Sequence, residues 1–372
     1  MRAFGLSAVM FAMTLSALSL GATPTKQARI KVAGYAGGEL ADFPVLVRIS
    51  PSTIEGFRYA DCAQGGADVS FTDADGNALS HEIDTWNPAG ESLVWVKIPK
   101  FANEAKFFMR WNDAEPPANA ASSTWSADYL GVWHLGEEKN TAWNSAPSGM
   151  AMNALPGGNV SECVRYAEAG APVGFARTTA STGDAFLAAD GYAKQGVGSA
   201  FTMSGWVRLT DCASYGRLFG QKAAGANSGW EVEMAGTDLT QFRVRGSGDA
   251  FVTAWAPPPG LASWTHLAFV FENENAKVYV NGDCVASGYV SPVTPNGFRL
   301  VFGNYILGQT PVHGAFDECR LMRRVATADW VKAEYAAVKG EGFLSYGKAK
   351  DYKPRSEAKA EAKAKAKAKA GK

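Results

Sequence analysis

The sequence predicts an all-β protein of two β-sandwich domains, with a short C-terminal helix and a disordered basic tail. Along most of the chain, apolar residues alternate with polar ones, which is the period of half-buried strands. Turn residues separate these stretches, and the 40 glycines provide the positive φ that tight turns need. The 11 Trp, 12 Tyr and 20 Phe favour pleated surfaces. A length of 372 residues, 47% of them hydrophobic, allows more than one packed core.

The N-terminus has the composition of an export signal. Arg2 precedes an uncharged apolar run over residues 3–20, which ends in the small residues Gly21 and Ala22. This pattern predicts a signal peptide over residues 1–22, cleaved near Gly21 or Ala22. A membrane anchor is the alternative, although the run is shorter than the roughly 20 residues that span a bilayer. We therefore expect a secreted, periplasmic or cell-surface protein with no transmembrane segment in the mature chain.

Residues 28–118 are predicted to form the first β-sandwich domain. Alternating apolar positions mark five strand segments, and the Asp/Gly/Asn-rich residues 73–77 mark a turn between two of them. The segments are residues 28–32, 44–49, 69–72, 93–98 and 105–111. The stretch 116–123, which is rich in Pro, Ala, Asn and Ser, has the composition of a linker and sets the domain boundary.

Residues 124–347 are predicted to form the second and larger domain. Its strand segments are 201–209, 230–234, 241–244, 264–272, 277–281, 299–302 and 316–322. Regular spacing with Gly and Asn turns is typical of an antiparallel sandwich or jelly roll. A helix is predicted over 327–338, because Thr327 suits the N-cap and Trp330, Ala333 and Ala337 recur at helical spacing.

The predicted tail, residues 348–372, carries ten basic and three acidic residues, a net charge of about +7. Its Ala-Lys alternation cannot bury a core, so we expect disorder. The formal net charge of zero for the whole chain therefore hides a folded part of about −8. The tail is either a solubilising terminus or a polycation for an anionic envelope component. Overall charge balance and export both argue against a nucleic-acid partner.

Five cysteines are widely spaced, without any C-x-x-C pair, which excludes a zinc ribbon or thioredoxin-like motif. An odd number permits at most two disulfides in an oxidising compartment, and Cys62 is the expected free thiol. The pairing among the other four stays open, as does the alternative that most are buried free thiols. These four are Cys163, Cys212, Cys284 and Cys319.

Two families are similar to parts of the chain. The segments ELADFPVLVRIS and GADVSFTDADGNALSHEIDTWNPAGESLVWVKIP, at 39–50 and 66–99, resemble domain of unknown function 2341, which implies a small β-sandwich and no assigned chemistry. The segments TWSADYLGVWHLGE, FTMSGWVRL, SWTHLAFVFENENAKVYVNGD and GAFDECRLMRRVATADWVKAEY resemble the laminin-G-like jelly roll of the concanavalin A-like lectin/glucanase superfamily. That resemblance implies a mostly non-catalytic domain that binds carbohydrate or protein ligands, in some members with structural calcium.

Three aromatic residues in loop-like sequence are the candidate carbohydrate-binding residues, because an exposed ring stacks on a sugar. They are Trp143, Trp255 and Tyr305. The family pattern and the alternation assign four other tryptophans to the core, namely Trp133, Trp206, Trp264 and Trp330. Weak calcium candidates are Glu137, Asn144 and Asp317, provided that the two ends of the domain meet. For residues 73–77 a plain turn is favoured over a calcium loop.

A catalytic site is not expected. Glu231 and Glu233 share a strand face, but Ala235 stands where laminarinase-type relatives place a third carboxylate, so two surface carboxylates on a solvated edge strand are favoured. The four histidines, His81, His134, His266 and His313, are interpreted as packing or turn residues. The sequence thus favours an exported, non-catalytic binding protein for a glycan or other surface ligand. A structural or adhesive envelope protein is the alternative, and a polysaccharide hydrolase the weaker one.

Overall fold

Strands make up nearly all of the regular structure in the computed structural model, as the sequence predicts. The structure describes residues 25–119, 121–137, 141–147, 151–154, 165–166, 170–179, 187–189, 197–222, 225–304 and 310–354. The predicted signal peptide, Cys163, Tyr305 and the end of the predicted tail lie outside these residues. Among the described residues, no helix is long and apolar enough to cross a membrane.

The first β-sandwich consists of two sheets that face each other across a hydrophobic core. Its strands are β1 (Lys26–Val32), β2 (Leu40–Ile49), β3 (Ser70–Asp73), β4 (Ala78–Leu79), β5 (His81–Thr85), β6 (Ser92–Phe101) and β7 (Lys106–Trp111). One sheet contains β1, β7, β3 and β4 in that order, and the other contains β2, β6 and β5. The five predicted segments coincide with strands of this sandwich. Strands β1 and β7 bury alternate residues, whereas β2 and β6 bury consecutive ones.

The second domain is a jelly roll of two large antiparallel sheets. Its strands are β8 (Tyr129–Trp133), β9 (Thr141–Ala142), β10 (Met152–Ala154), β11 (Arg165–Tyr166), β12 (Ala176–Thr179), β13 (Leu187–Ala189), β14 (Ala200–Cys212), β15 (Arg217–Gly220), β16 (Glu231–Met234), β17 (Gln241–Arg245), β18 (Phe251–Trp255), β19 (Thr265–Glu272), β20 (Asn275–Val280), β21 (Asp283–Tyr289), β22 (Leu300–Phe302) and β23 (Val312–Met322). One sheet has the order β18-β17-β16-β15-β22-β13-β10-β9. The other has the order β11-β12-β23-β14-β19-β20-β21, with β8 added on β23.

The helix α1 (Ala328–Lys339) lies where the sequence predicts it. The Thr327 side chain accepts a hydrogen bond from Trp330 N at 3.1 Å, and Gly340 ends the helix at φ 74°. Its buried face includes Trp330, whose ring meets Phe43 of β2 edge-on at a centroid distance of 5.0 Å. The helix therefore packs against the first sandwich, although it follows the last strand of the second.

The chain returns to the first sandwich after this helix. Strands β24 (Leu344–Tyr346) and β25 (Lys350–Asp351) both pair with β1, and Phe343 is buried against Phe101. The sequence predicts the end of the second domain at residue 347 and the start of a disordered tail at Lys348. The structure instead places residues 344–346 and 350–351 in a sheet of the first sandwich. Residues 348–351 have the Lys- and Ala-rich composition of a tail, and β25 forms there by pairing with the open edge of β1.

The two domains share one continuous hydrophobic core. It joins residues of the first sandwich to the outer face of the jelly-roll sheet, including Trp206 on β14 and Tyr279 on β20. A separate core fills the interior of the jelly roll. Because side chains from both domains pack in the shared core, the domains form a single structural unit.

The cysteines differ from the predicted disulfide framework. Cys62, Cys212, Cys284 and Cys319 are all free thiols. Cys212 and Cys319 are buried, which fits the alternative that buried cysteines act as small hydrophobic residues. The described residues therefore contain no pair among Cys212, Cys284 and Cys319.

Candidate functional site

A pocket of about 270 Å³ opens at the junction of the two domains. The first sandwich contributes one wall through β5, and the jelly roll contributes the other through the segment after β8. The lining residues are Glu82, Ile83, Asp84, Thr85, His134, Gly136, Glu137, Trp143, Ser145 and Phe175. Most of these side chains are polar, and two, Trp143 and Phe175, are large aromatic rings.

Strand β5 supplies the carboxylates of the first wall. In the described part of the chain it is an edge strand paired with β6, and its register shifts between Ile83 and Thr85, so Asp84 lies at an irregularity two residues after Glu82. The Glu82 carboxylate accepts hydrogen bonds from Trp125 Nε1 and Ser145 Oγ, each at 2.6 Å. Asp84 Oδ1 accepts from Thr85 Oγ1 at 2.7 Å. Both carboxylates are therefore held in place before any ligand arrives.

A bulge in β23 brings two further carboxyl groups to the junction. The register between β14 and β23 shifts between Ser204 and Trp206, and Glu318 has φ 48° within this irregularity. An extra residue interrupts the alternation of a strand, so consecutive side chains emerge on the same side. Asp317 and Glu318 thus both point away from the jelly-roll core, while Cys319 points into it.

His134 lies at the centre of these carboxylates. Its Nδ1 is 2.7 Å from Glu318 Oε1 and 3.6 Å from Asp84 Oδ2, and its Nε2 is 3.5 Å from Glu82 Oε2. Burial by itself disfavours the charged imidazole, but the carboxylates of Glu318 and Glu82 raise the pKa of His134 well above its usual value. His134 is therefore the hub of an ionic cluster, not a packing or turn residue.

Arg320 closes the buried side of this cluster. Its guanidinium donates to Glu318 Oε2 at 2.7 Å and to Glu334 Oε1 on α1 at 2.9 Å. It also lies over the rings of Trp95 and Trp125, with its Cζ 4.4 and 5.0 Å from their centroids. Because the side chain is almost fully buried, this single cation connects β23, α1 and the first sandwich.

Burial also changes the ionisation of two carboxyl groups here. It raises the pKa of Asp84 to about 6, against the opposing effect of the His134 charge. It raises the pKa of Asp317 well above the usual range, and the neighbouring Glu318 charge acts in the same direction. The cluster thus contains more carboxyl groups than its nearby cations neutralise.

The predicted carbohydrate-binding residues occupy separate places. Trp143 is 66% exposed at the junction pocket, and its backbone N–H donates to Glu137 Oε1 at 2.6 Å. Trp255 is 57% exposed on β18, at the opposite edge of the sheet from β9, the strand that precedes Trp143. It does not line this pocket. Tyr305 lies outside the described residues. Two exposed rings are therefore available on different parts of the jelly roll.

The calcium candidates do not form a shared oxygen cage. Asn144 Oδ1 accepts from Val132 N and Ala146 N, both at 2.9 Å, so it fixes the backbone around β8. Glu137 accepts from Trp143 N through Oε1, and its second carboxylate oxygen, Oε2, pairs with Arg177 at 3.2 Å. Asp317 is buried and accepts from Val173 N at 2.9 Å. Each of the three binds different partners, so the residues do not fit the calcium site that the sequence suggested.

Glu231 and Glu233 are not surface carboxylates on a solvated edge strand, and that expectation is wrong. Strand β16 lies between β15 and β17, and the two side chains are buried. Arg245 Nε contacts Glu231 Oε1 at 3.0 Å and a second nitrogen contacts Glu233, while Arg217 pairs with Glu231. Alternation alone could not show this, because the partners come from two neighbouring strands.

The core tryptophans lie where the sequence assigns them, with one difference. Trp133, Trp206 and Trp330 are buried, whereas Trp264 is half-buried at the edge of the shared core. Among the histidines, His81 packs edge-on against Phe71 and His266 is buried beside Trp206, as expected for packing residues. His313 pairs with Asp211.

Sequence reasoning did not identify the cluster around His134. Its members stand in quoted motifs: Glu82 and Asp84 in HEID, His134 in GVWHLGE, and Glu318 in FDEC. The sequence feature that could have indicated the cluster is the presence of charged residues at strand positions where apolar residues are expected. The three motifs are far apart in the chain, however, so nothing in the sequence indicated that they meet.

Comparisons with known proteins agree with this architecture. The model of the family described as Domain of unknown function (DUF2341) matches residues 65–126, and the model of the Concanavalin A-like lectin/glucanases superfamily matches residues 181–332. No curated protein matches the chain.

Solved structures that are similar to this chain are found at low sequence identity. Domain 4 of AbnA, a GH43 extracellular arabinanase from Geobacillus stearothermophilus solved with arabinotriose, is 18% identical with a TM-score of 0.42; the match covers 56% of this chain and 98% of that domain. The binding domain of Paraclostridial Mosquitocidal Protein 1 is 13% identical with a TM-score of 0.42, over 56% of this chain and 52% of that one. The binding domain of Botulinum Neurotoxin DC, solved with SialylT, is 12% identical with a TM-score of 0.41, over 57% and 52%. The chain thus combines a segment that matches the DUF2341 family, at residues 65–126, with a later segment that matches the Concanavalin A-like lectin/glucanases superfamily, at residues 181–332.

Proposed function

We propose that this protein is a non-catalytic binding protein that takes a carbohydrate at the junction pocket. The observation that carries this proposal is the ring of Trp143, which is 66% exposed beside a polar pocket. An exposed indole offers a flat apolar face to the C–H groups of a sugar ring. The hydroxyls of Thr85 and Ser145 and the carboxylate of Glu137 provide hydrogen-bonding groups beside it.

The size of the pocket limits the ligand. At about 270 Å³ it lies near the lower end of ligand pockets, so it suits a small sugar or the end of a longer glycan. The carboxylate oxygens of Glu137 already accept from Trp143 N and pair with Arg177, which positions the loop that carries the indole ring. A preformed loop reduces the entropy lost on binding.

A non-catalytic role is supported by the state of the paired glutamates. Glu231 and Glu233 are buried and paired with Arg217 and Arg245. A glycosidase needs one carboxyl group as acid and another as base or nucleophile, both open to the substrate. Reducing-sugar release from a polysaccharide that is lost in Glu231→Gln or Glu233→Gln would contradict this part of the proposal.

The test is a glycan array on the folded chain with two matched variants. We expect Trp143→Ala to abolish binding, because it removes the stacking surface, and Trp255→Ala to retain it, because that exposed ring lies outside the pocket. Because each variant removes one exposed tryptophan, a general effect on folding should be similar in both. A difference in glycan binding between them would therefore reflect the position of the ring. Binding that survives Trp143→Ala and is lost in Trp255→Ala would refute the junction pocket as the site.

A second function, adhesion through protein contacts, is favoured by the edge of the jelly roll. Phe251 and Trp255 are 44% and 57% exposed on β18, and Tyr289 is 58% exposed on β21. Exposed aromatic rings dominate the binding energy of many protein interfaces. A blank glycan array with the variants folded would favour this role.

Export and the basic tail belong to the same proposal. An exported binding protein requires cleavage near Gly21 or Ala22, which N-terminal sequencing of the secreted form would reveal. The lysines of residues 355–372 would add a salt-sensitive attraction to anionic envelope polymers. Deletion of these residues should abolish only the part of surface binding that moderate salt also removes.

A further inference from the structure

The ionic cluster at the domain junction contains more carboxyl groups than cations. Four carboxyl groups surround one imidazole, and they come from two strands of different domains: Glu82 and Asp84 on β5, and Asp317 and Glu318 on β23. The nearest cations are His134 and Arg320, and Arg320 also pairs with Glu334. Buried charges in proteins are paired or coordinate a metal ion. An additional positive charge is therefore what this cluster lacks.

A second observation concerns Asp317, which points into the same region. It is 0% exposed, and its Oδ1 has no hydrogen-bond partner among the described residues. Its Oδ2 accepts from Val173 N, and the next residue, Gly174, lies against the cluster from the other side. A Cβ at Gly174 would stand 3.1 Å from Asp84 Oδ1. Asp317 and Asp84 thus border the same two-residue segment, and the buried carboxyl group of Asp317, with one unsatisfied oxygen, interacts electrostatically with Glu318, Asp84 and His134.

We propose that Asp84, His134 and Glu318 bind a divalent transition-metal ion, with Zn²⁺ as the best fit. One ligand atom from each, the imidazole nitrogen and two carboxylate oxygens, lie within 4.8 Å of one another. Zinc accepts imidazole nitrogen and carboxylate oxygen together, whereas calcium prefers oxygen ligands alone. The ion takes the place of the proton that His134 shares with Glu318.

Neighbouring groups already orient the proposed ligands. Arg320 holds the second oxygen of Glu318 at 2.7 Å, and Thr85 Oγ1 holds the second oxygen of Asp84 at 2.7 Å. Outer contacts of this kind fix the ligand carboxylates and tune the affinity of metal sites. Asp317 lies next to Glu318 and adds a buried carboxyl group close to the ion. Three protein ligands leave a coordination position open, and the junction pocket gives access to Asp84 and His134.

The proposed ion would connect the two domains. Asp84 belongs to β5 of the first sandwich, while His134 and Glu318 belong to the jelly roll. A metal bound by both domains stabilises their junction and raises the melting temperature of the whole unit. This inference does not depend on Trp143 or on the identity of any glycan.

The experiment titrates ZnCl₂ into the full chain after chelator treatment, by isothermal calorimetry. We expect one Zn²⁺ per chain, a higher melting temperature with zinc, and an affinity at least about tenfold lower in Asp84→Asn, which keeps the shape of the side chain. Trp143→Ala is the matched control, because it changes the same pocket without removing a ligand, and should bind zinc as the wild type does.

Three results would overturn the proposal. They are no stoichiometric zinc binding by the wild type, equal zinc affinity in Asp84→Asn, and calcium binding as tight as zinc binding. If Asp84→Asn fails to fold, His134→Gln and the wild-type stoichiometry still decide the question. Loss of glycan binding in Trp143→Ala with unchanged zinc affinity would separate this site from the proposed carbohydrate function.

Discussion

His266 gives this protein a specific sensitivity to acid. The residue lies on β19 with 1% exposure, and its ring centroid is 5.4 Å from that of Trp206 and 6.1 Å from that of Tyr335 on α1. Burial lowers the pKa of His266 to about 3, and the charge of Arg320 contributes in the same direction. In the unfolded chain the imidazole has a pKa of about 6.5. Below that pH the unfolded state binds a proton that the folded state does not.

The size of the effect follows from this difference. Stability contributed by the neutral imidazole is complete above about pH 6.5 and falls as the pH decreases towards 3, at about 1.4 kcal/mol per pH unit. Between pH 7 and pH 5 the loss is about 2 kcal/mol. The assay is urea unfolding followed by tryptophan fluorescence, at several pH values, for the wild type and His266→Gln.

The comparison uses only the change with pH. His266→Gln also alters packing, so its absolute stability is lower at every pH, but all other titrating groups are common to both proteins. We expect the wild type to lose about 2 kcal/mol more than the variant between pH 7 and pH 5. Between pH 8 and pH 7 the two should change equally, which is the control. Equal losses between pH 7 and pH 5 would refute a buried, neutral His266.

Two further predictions test the C-terminal return of the chain and the cysteines. Phe343→Ala should lower the free energy of unfolding by about 3–5 kcal/mol, since it removes a buried ring from the first sandwich. The control Tyr289→Ala, at an exposed position, should change this free energy by less than about 0.5 kcal/mol. A loss below about 1 kcal/mol for Phe343→Ala would contradict this packing. Cys284 is an exposed free thiol, whereas burial raises the pKa of Cys62 to about 12. A thiol reagent should therefore label one fewer cysteine per chain in its rapid phase in Cys284→Ser than in the wild type. An unchanged number of rapidly labelled thiols would contradict a free, exposed Cys284.

Much of the fold follows from local pattern. Period-two alternation located five strands of the first sandwich and seven of the jelly roll, but not β5, β8, β15, β18 or β21. The N-cap of Thr327 located the helix, because capping depends on residues that are neighbours in sequence. The pattern did not reveal that β24 and β25 belong to the first sandwich, since β25 is as polar as a tail and the pairing of both strands with β1 joins residues that are distant in the chain.

The candidate site was less accessible to the same reasoning. Trp143 could be chosen because it stands in loop-like sequence, where an exposed aromatic ring can stack on a sugar. Glu231 and Glu233 were misjudged, because the arginines that bury them stand on neighbouring strands. The cluster around His134 was missed, since β5, the segment after β8 and the bulge in β23 meet only when the two domains pack together.

The sequence by itself determined the class of the protein: two β-sandwich domains of recognisable families and a short helix. These properties depend on alternation, capping and motifs, which act over a few residues. The tertiary structure alone decided which charged residues meet. Asp84, His134 and Glu318 are brought together by a shared core and a strand bulge, and the energies that favour such contacts come from packing between residues that are distant in the chain.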